Sequence, residues 1–138
     1  MEKRKKLKKA ELEALFVRFL DENRCPVHVA SGDIKVMEYA MPCIASGVYA
    51  QLRSTGELYI GQAADILHRQ REHLANGVKL LALGVWPIFE AGDLRRYAFE
   101  TELIGRALQK DYPLANIQKV GVSLRPMSIL GTSKRETL

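Results

Sequence analysis

The sequence predicts a small mixed α/β layer fold, and three observations carry that reading. Residues 10–22 hold an apolar stripe at helical spacing, and residues 47–61 hold two strand-like runs around a Ser-Thr-Gly turn. Two further amphipathic stretches follow, over 64–77 and 94–110. Helix, hairpin, helix, strand and helix in that order have to stack their apolar faces in layers around one core.

In the first element, Leu12, Leu15, Phe16, Phe19 and Leu20 fall on one helical face, and the basic run before them joins or extends the helix. Asn23 to Pro26 ends it, since the residue before a proline disfavours helix. Residues 27–46 stay ambiguous, as a strand, a turn at Ser31-Gly32-Asp33 and then a second strand or a short helix. Residues 47–53 and 57–61 are rich in Val, Tyr, Leu and Ile and predict a β-hairpin turning at Ser54-Thr55-Gly56. The stretch "ADILHRQREHLANG" predicts a helix with Asp65 as N-cap, with Ile66, Leu67, Gln70 and Leu74 toward the core and Asn76-Gly77 at its end. "VKLLALG" either extends this layer or begins a short helix. "VWPIFEAGD", residues 85–93, is the candidate third strand, and Pro87 hints at an edge position. "LRRYAFETELIGRALQK" predicts the last helix, broken by Asp111-Tyr112-Pro113. The tail from Asn116 offers one strand-like piece, "VGVSLRP", and then a polar end expected to be mobile.

Composition narrows the class. The chain has 138 residues, 47% hydrophobic and 27% charged, which suits one soluble domain. No apolar run reaches the roughly 18 residues of a membrane span, so no membrane role is expected. The basic N-terminus lacks the apolar core of a signal peptide. Cys25 and Cys43 are expected to be reduced thiols of a cytoplasmic protein, and with His28 they fall short of a structural zinc set. The charge is uneven. Residues 1–9 carry six basic side chains and one acid, while the remaining 15 Lys/Arg and 15 Asp/Glu cancel, so the whole excess of +5 lies in one short arm. A cationic arm on a neutral body suits a phosphate backbone; a solubilising helix start is the plainer alternative.

Chemistry-bearing residues fall in three places. Tyr49 and Tyr59 lie on the two strands of the hairpin, within Gly47-Val48-Tyr49 and Tyr59-Ile60-Gly61. Along an antiparallel ladder the numbers of paired residues have a constant sum. A two-residue turn therefore puts the tyrosines on opposite faces, and a three- or five-residue turn puts them on the same face. Gly56 suits the left-handed position of the three-residue type. Arg69 and His73 are four apart on the following helix and share a face, whereas Arg71 turns away and His68 lies at the surface. Glu100 sits within the last helix between apolar neighbours, where a carboxylate is costly unless it is paired or holds a cation. Each has a plainer explanation: tyrosines as core, an Arg/His pair as a wet face, and a glutamate at the edge of an apolar stripe.

Taken in order, these residues resemble the GIY-YIG nuclease superfamily. Gly47-Val48-Tyr49 stands for the first signature, with Val for Ile, and Tyr59-Ile60-Gly61 keeps the second. Arg69 and His73 match the helix that follows, Glu100 with Ile104 matches the metal-binding glutamate, and Asn116 is a candidate for the late asparagine. The resemblance covers roughly residues 44–118. It implies a three-stranded antiparallel sheet flanked by helices, here with an extra N-terminal basic amphipathic helix. It divides the chain into residues 1–43 (arm, helix and connection), 44–118 (nuclease-like domain) and 119–138 (extension). It implies an enzyme, a metal-dependent endonuclease hydrolysing DNA phosphodiester bonds, with RNA left open as a substrate.

In that scheme Glu100 anchors one Mg²⁺ or Mn²⁺, a hard cation that keeps several waters. Arg69 binds the scissile phosphate. Tyr49 acts as general base, its phenol pKa of about 10 lowered by a neighbouring cation. Tyr59 positions water or phosphate, and His73 holds a tyrosine or relays a proton. Gly47 and Gly61 allow backbone and phosphate to approach, and Arg71, Lys5 and Lys6 are further substrate-binding candidates. The chain departs from the pattern in two respects: no large separate DNA-binding domain follows, and Glu90 or Glu102 could replace Glu100 if the helix were shifted. The alternatives are a non-catalytic nucleic-acid-binding module on the same fold and an adaptor whose tyrosines are only core.

Overall fold

The computed structural model describes residues 8–41, 45–89 and 93–116. Lys5, Lys6, Cys43, Glu90 and the strand-like "VGVSLRP" lie outside the described residues. The elements run α1 (Lys9–Glu22), β1 (Val27–Val29), α2 (Ile34–Ala40), β2 (Gly47–Arg53), β3 (Leu58–Ala63), α3 (Ile66–Ala75), β4 (Leu80–Pro87) and α4 (Leu94–Gln109). The sheet is antiparallel and has four strands, in the order β1-β4-β2-β3. The expectation of three strands is thus corrected. The fourth, β1, spans only three residues in the stretch the sequence leaves ambiguous, too short for an alternating pattern to register.

A second correction concerns β4. The strand occupies "LLALGVWP", not residues 85–93, and it is an inner strand paired on both sides. Pro87 is tolerated because β1 has already ended, at the pair Val27↔Val85. Since Ile88 N–H donates to Ser46 O at 2.7 Å, alternation of the ladder turns the N–H position of residue 87 toward that vacant side.

The hairpin turn decides whether the two tyrosines share a face. Arg53 N–H donates to Glu57 O at 2.9 Å, and Gly56 N–H donates to Arg53 O at 2.8 Å. Three residues therefore close the turn, with Gly56 at φ 93 in the left-handed region. The register that results pairs Tyr49 with Gly61 and Gln51 with Tyr59, an even sum, so both tyrosines point to one face.

Helices cover both faces. On one, Phe16, Phe19 and Leu20 of α1 and Leu103 and Ala107 of α4 pack on Val48, Ala50, Leu52, Leu58 and Ile60. On the other, Met37 of α2 and Ile66 of α3 pack with Tyr49, Leu83 and Val85. Helix α1 therefore belongs to the same core as the hairpin, and α2 and β1 complete the second layer. Asn23, at the end of α1, joins three elements: its carbonyl accepts from Trp86 Nε1 at 2.8 Å and its Oδ1 accepts from Arg106 at 2.8 Å. No helix among the described residues is long and apolar enough to cross a membrane.

Candidate functional site

The site is built on the tyrosine face of the hairpin, under α3. Asp65 caps that helix by accepting from His68 N–H at 3.1 Å, which fixes the helix's start against the end of β3. One turn in, Ile66 and Gln70 are fully buried, and the next turn brings His73 over the strands. His73 Nε2 lies 2.9 Å from the Tyr49 hydroxyl. The two phenol rings and the imidazole form a triangle, with centroids 6.3 Å apart for Tyr49–Tyr59, 6.0 Å for Tyr49–His73 and 5.3 Å for Tyr59–His73. Arg69 lies near enough for its charge to act on Tyr49, and it holds Glu72 Oε1 at 2.9 Å in an exposed ion pair.

Gly61 explains how the Tyr49 ring lies flat on its partner strand. A Cβ added there would meet the Tyr49 oxygen at 2.5 Å and the carbon bearing it at 2.6 Å. A side chain at position 61 would have to lift the phenol away from His73. Gly47 has a different reason: its Cβ would meet the carbonyl oxygen of Trp86 at 2.1 Å, so the close approach there is to β4 rather than to a ligand.

Glu100 comes from α4, on the opposite face, yet it is near enough for its charge to act on Tyr49. Arg96, one turn earlier on α4, shows where that side of the helix lies. It donates to Gln62 of β3 at 3.0 Å and to Ser46 at 3.1 Å, beside the strand ends that carry Gly47 and Gly61. Glu100 is partly buried and has neither a hydrogen-bond nor an ion-pair partner among the described residues. Burial alone pushes its carboxyl up to about 7. Glu102, the alternative, is committed to Arg106 in an exposed i,i+4 pair.

The phenol contradicts one detail expected of it. Burial pushes the Tyr49 pKa well above that of a free tyrosine, Tyr59 adds to the rise, and Arg69 offsets only part of it. Tyr49 is therefore a neutral phenol here, able to donate to the imidazole, and not a ready phenolate. Arg71 is also placed away from the site: it pairs with Glu38 at 2.7 Å and ties α3 to α2.

Two functional-looking features escaped sequence reasoning. One is the row Tyr49, Gln51, Arg53 on a single strand face, where Arg53 lies over the Tyr59 ring at 4.3 Å. Its only sequence signal is the same alternation that places the tyrosines. The other is the role of Asn116, whose amide both accepts from Ile60 N–H at 2.9 Å and donates to Ile60 O at 2.8 Å. Those bonds make Asn116 a clip on the outer edge of β3.

A divalent cation suits this donor set in a limited way. Among the described residues no group of three or more His, Cys, Asp or Glu side chains converges. A hard, hydrated ion such as Mg²⁺ or Mn²⁺ needs few protein ligands, and a desolvated carboxylate without a partner is the kind of group that gains from one. No family model matches this chain, and neither characterised proteins nor solved structures give a significant match.

Proposed function

We propose that the chain is a divalent-cation-dependent endonuclease of the GIY-YIG kind, hydrolysing phosphodiester bonds of DNA. The observation that carries this reading is the convergence of Tyr49, Tyr59, Arg69 and His73 on one sheet face, with Glu100, unpartnered among the described residues, within electrostatic reach. A core alone needs none of these groups together. Hydrolysis of a phosphodiester needs a base for the attacking water and positive charge at the non-bridging oxygens.

Arg69 supplies charge to the phosphate and exchanges its exposed contact with Glu72 for the phosphate oxygens, a stronger bidentate partner. Tyr49 and His73 handle the proton as a pair. The Tyr49 oxygen accepts a proton from the attacking water while its own hydroxyl proton passes to His73 Nε2, so a free phenolate need never accumulate. This relay suits the raised Tyr49 pKa better than a pre-ionised phenol does. Water oxygen bonds to phosphorus, the bond to the leaving ester oxygen breaks, and solvent protonates that oxygen. Tyr59, clamped between Tyr49, His73 and Arg53, presents its hydroxyl to water or phosphate. Glu100 would hold the Mg²⁺ or Mn²⁺, which when bound adds charge neutralisation at the phosphate.

A nicking assay decides the matter. With Mg²⁺ or Mn²⁺ the wild-type chain should cut supercoiled, linear or branched DNA, and Glu100→Gln should reduce the rate by at least about a hundredfold, the scale on which removing one transition-state charge contact acts. Equal inertness of both proteins on all three substrates removes the enzyme reading. DNA binding retained without any cleavage favours a non-catalytic binding module on the same fold.

A further inference from the structure

The polar groups on the tyrosine face extend toward the hairpin turn. Gln51 and Gln70 are both 0% exposed, and amides are buried so completely only when their bonds are made. Those bonds run in one direction. Gln70 Nε2 donates to Ile66 O at 3.3 Å, Gln51 Nε2 donates to Gln70 Oε1 at 2.7 Å, and Arg53 Nε donates to Gln51 Oε1 at 2.9 Å. Each amide has one orientation that satisfies the chain, and the result is an acceptor aimed at Arg53. The guanidinium is further fixed by stacking, its carbon 4.3 Å from the Tyr59 ring centroid.

Only one of the five N–H donors of Arg53 is used in this way. The two terminal amino groups make no hydrogen bond or ion pair within the described residues. Glu57 is near enough to act on Arg53 electrostatically, but its carboxylate accepts from Thr55 Oγ1 and forms no ion pair with the guanidinium. Burial also disfavours the charge of Arg53, which as an arginine nevertheless keeps it. A planar, oriented and partly desolvated cation with its outer donors open is chemically suited to two oxygens of an anion.

We propose that Arg53 is a second phosphate-binding residue, whose terminal amino groups take two oxygens of the phosphodiester next to the one that Arg69 faces on the same strand. The inference rests on the nucleic-acid reading above. The two guanidiniums come from different elements, and each lies near enough to act electrostatically on both phenols. Arg69 acts on Tyr49 from α3, while Arg53 reaches from the turn end of β2 over the Tyr59 ring. Two fixed charges from separate elements beside the phenols set the path of a strand across the site, which a single arginine cannot do. The buried glutamines are then positioning residues that act through Arg53.

The test is binding of a fluorescein-labelled DNA duplex in chelator, followed by anisotropy over a range of salt, together with the nicking assay and a thermal melt. Arg53→Gln should weaken binding about tenfold near 0.1 M salt and lower the slope of log K against log salt by about one, as loss of one phosphate contact requires. Arg53→Lys should keep the slope, because it keeps the charge, and should weaken binding a few-fold for want of the planar fork. An Arg53→Gln protein that binds with wild-type affinity and slope overturns the role of Arg53, and leaves the nuclease reading intact if the wild type still cuts. A reduced slope in a chain that never cuts supports Arg53 and removes the nuclease reading instead. Absence of DNA binding by the wild type overturns both. Should Arg53→Gln fail to fold, Arg53→Lys decides, and wild-type affinity with lysine there overturns the proposal.

Discussion

Glu100 carries a sign that can be read from stability. Its folded pKa, about 7, lies above the usual 4.5, so between those values the folded chain keeps a proton that the unfolded chain has released. In chelator, the contribution of Glu100 to stability should be most favourable below about pH 4.5, fall as pH rises toward 7 and then level off, by no more than roughly 3 kcal/mol. Glu100→Gln should flatten this part of the profile. Excess Mg²⁺ or Mn²⁺ above pH 7 should raise the melting temperature of the wild type and leave that of the variant unchanged. Melts at several pH values check all three, and a wild-type profile as flat as the variant's contradicts the burial argument. Individual residues were only partly legible beforehand. The shared face of Tyr49 and Tyr59 follows from counting, because a strand's alternation is strict. The Gln70–Gln51–Arg53 relay does not follow, because two amides nineteen positions apart have no local pattern that announces their contact.

At the scale of elements, the edge strand β3 depends on a segment that follows α4. Leu58 N–H donates to Pro113 O at 2.8 Å, and Asn116 takes both backbone groups of Ile60. Asn116→Ala should leave an N–H and a carbonyl unpaired at a buried edge and cost about 1–3 kcal/mol. Amide exchange should speed up at Ile60 far more than in β4, and equal protection in wild type and variant would contradict the clip. The helices were legible because Asp65 and Asn76-Gly77 punctuate them and because Phe16, Phe19 and Leu20 repeat at helical spacing. Strand β4 was harder. "LLAL" is a short apolar run of good helix formers, and its strand character comes from being buried between two partners. Helix α2, at seven residues, and β1, at three, are too short for periodicity to speak.

For the whole molecule, charge and fold are separate contributions to binding. The body from residue 10 onward is neutral, and four of the six basic residues of the arm lie in residues 1–7. Removing those seven residues keeps the Lys8 N–H bond to Glu11 that starts α1. The shortened chain should keep its melting temperature while its DNA affinity becomes less salt-dependent, with a smaller slope in a salt titration. An unchanged slope assigns the backbone contacts to Arg53, Arg69 and their neighbours instead. The three-residue closure between Arg53 and Glu57 also restricts how this protein can change by insertion and deletion. One amino acid added or lost there, with the three-residue closure itself retained, would slip the register by one and carry Tyr59 through the sheet to the far side. A slip of two would return it to the tyrosine face, one pair further along the ladder. The loop can therefore lengthen without moving Tyr59 only if the pairing of Gln51 with Tyr59 is preserved and the added residues are taken up in the turn.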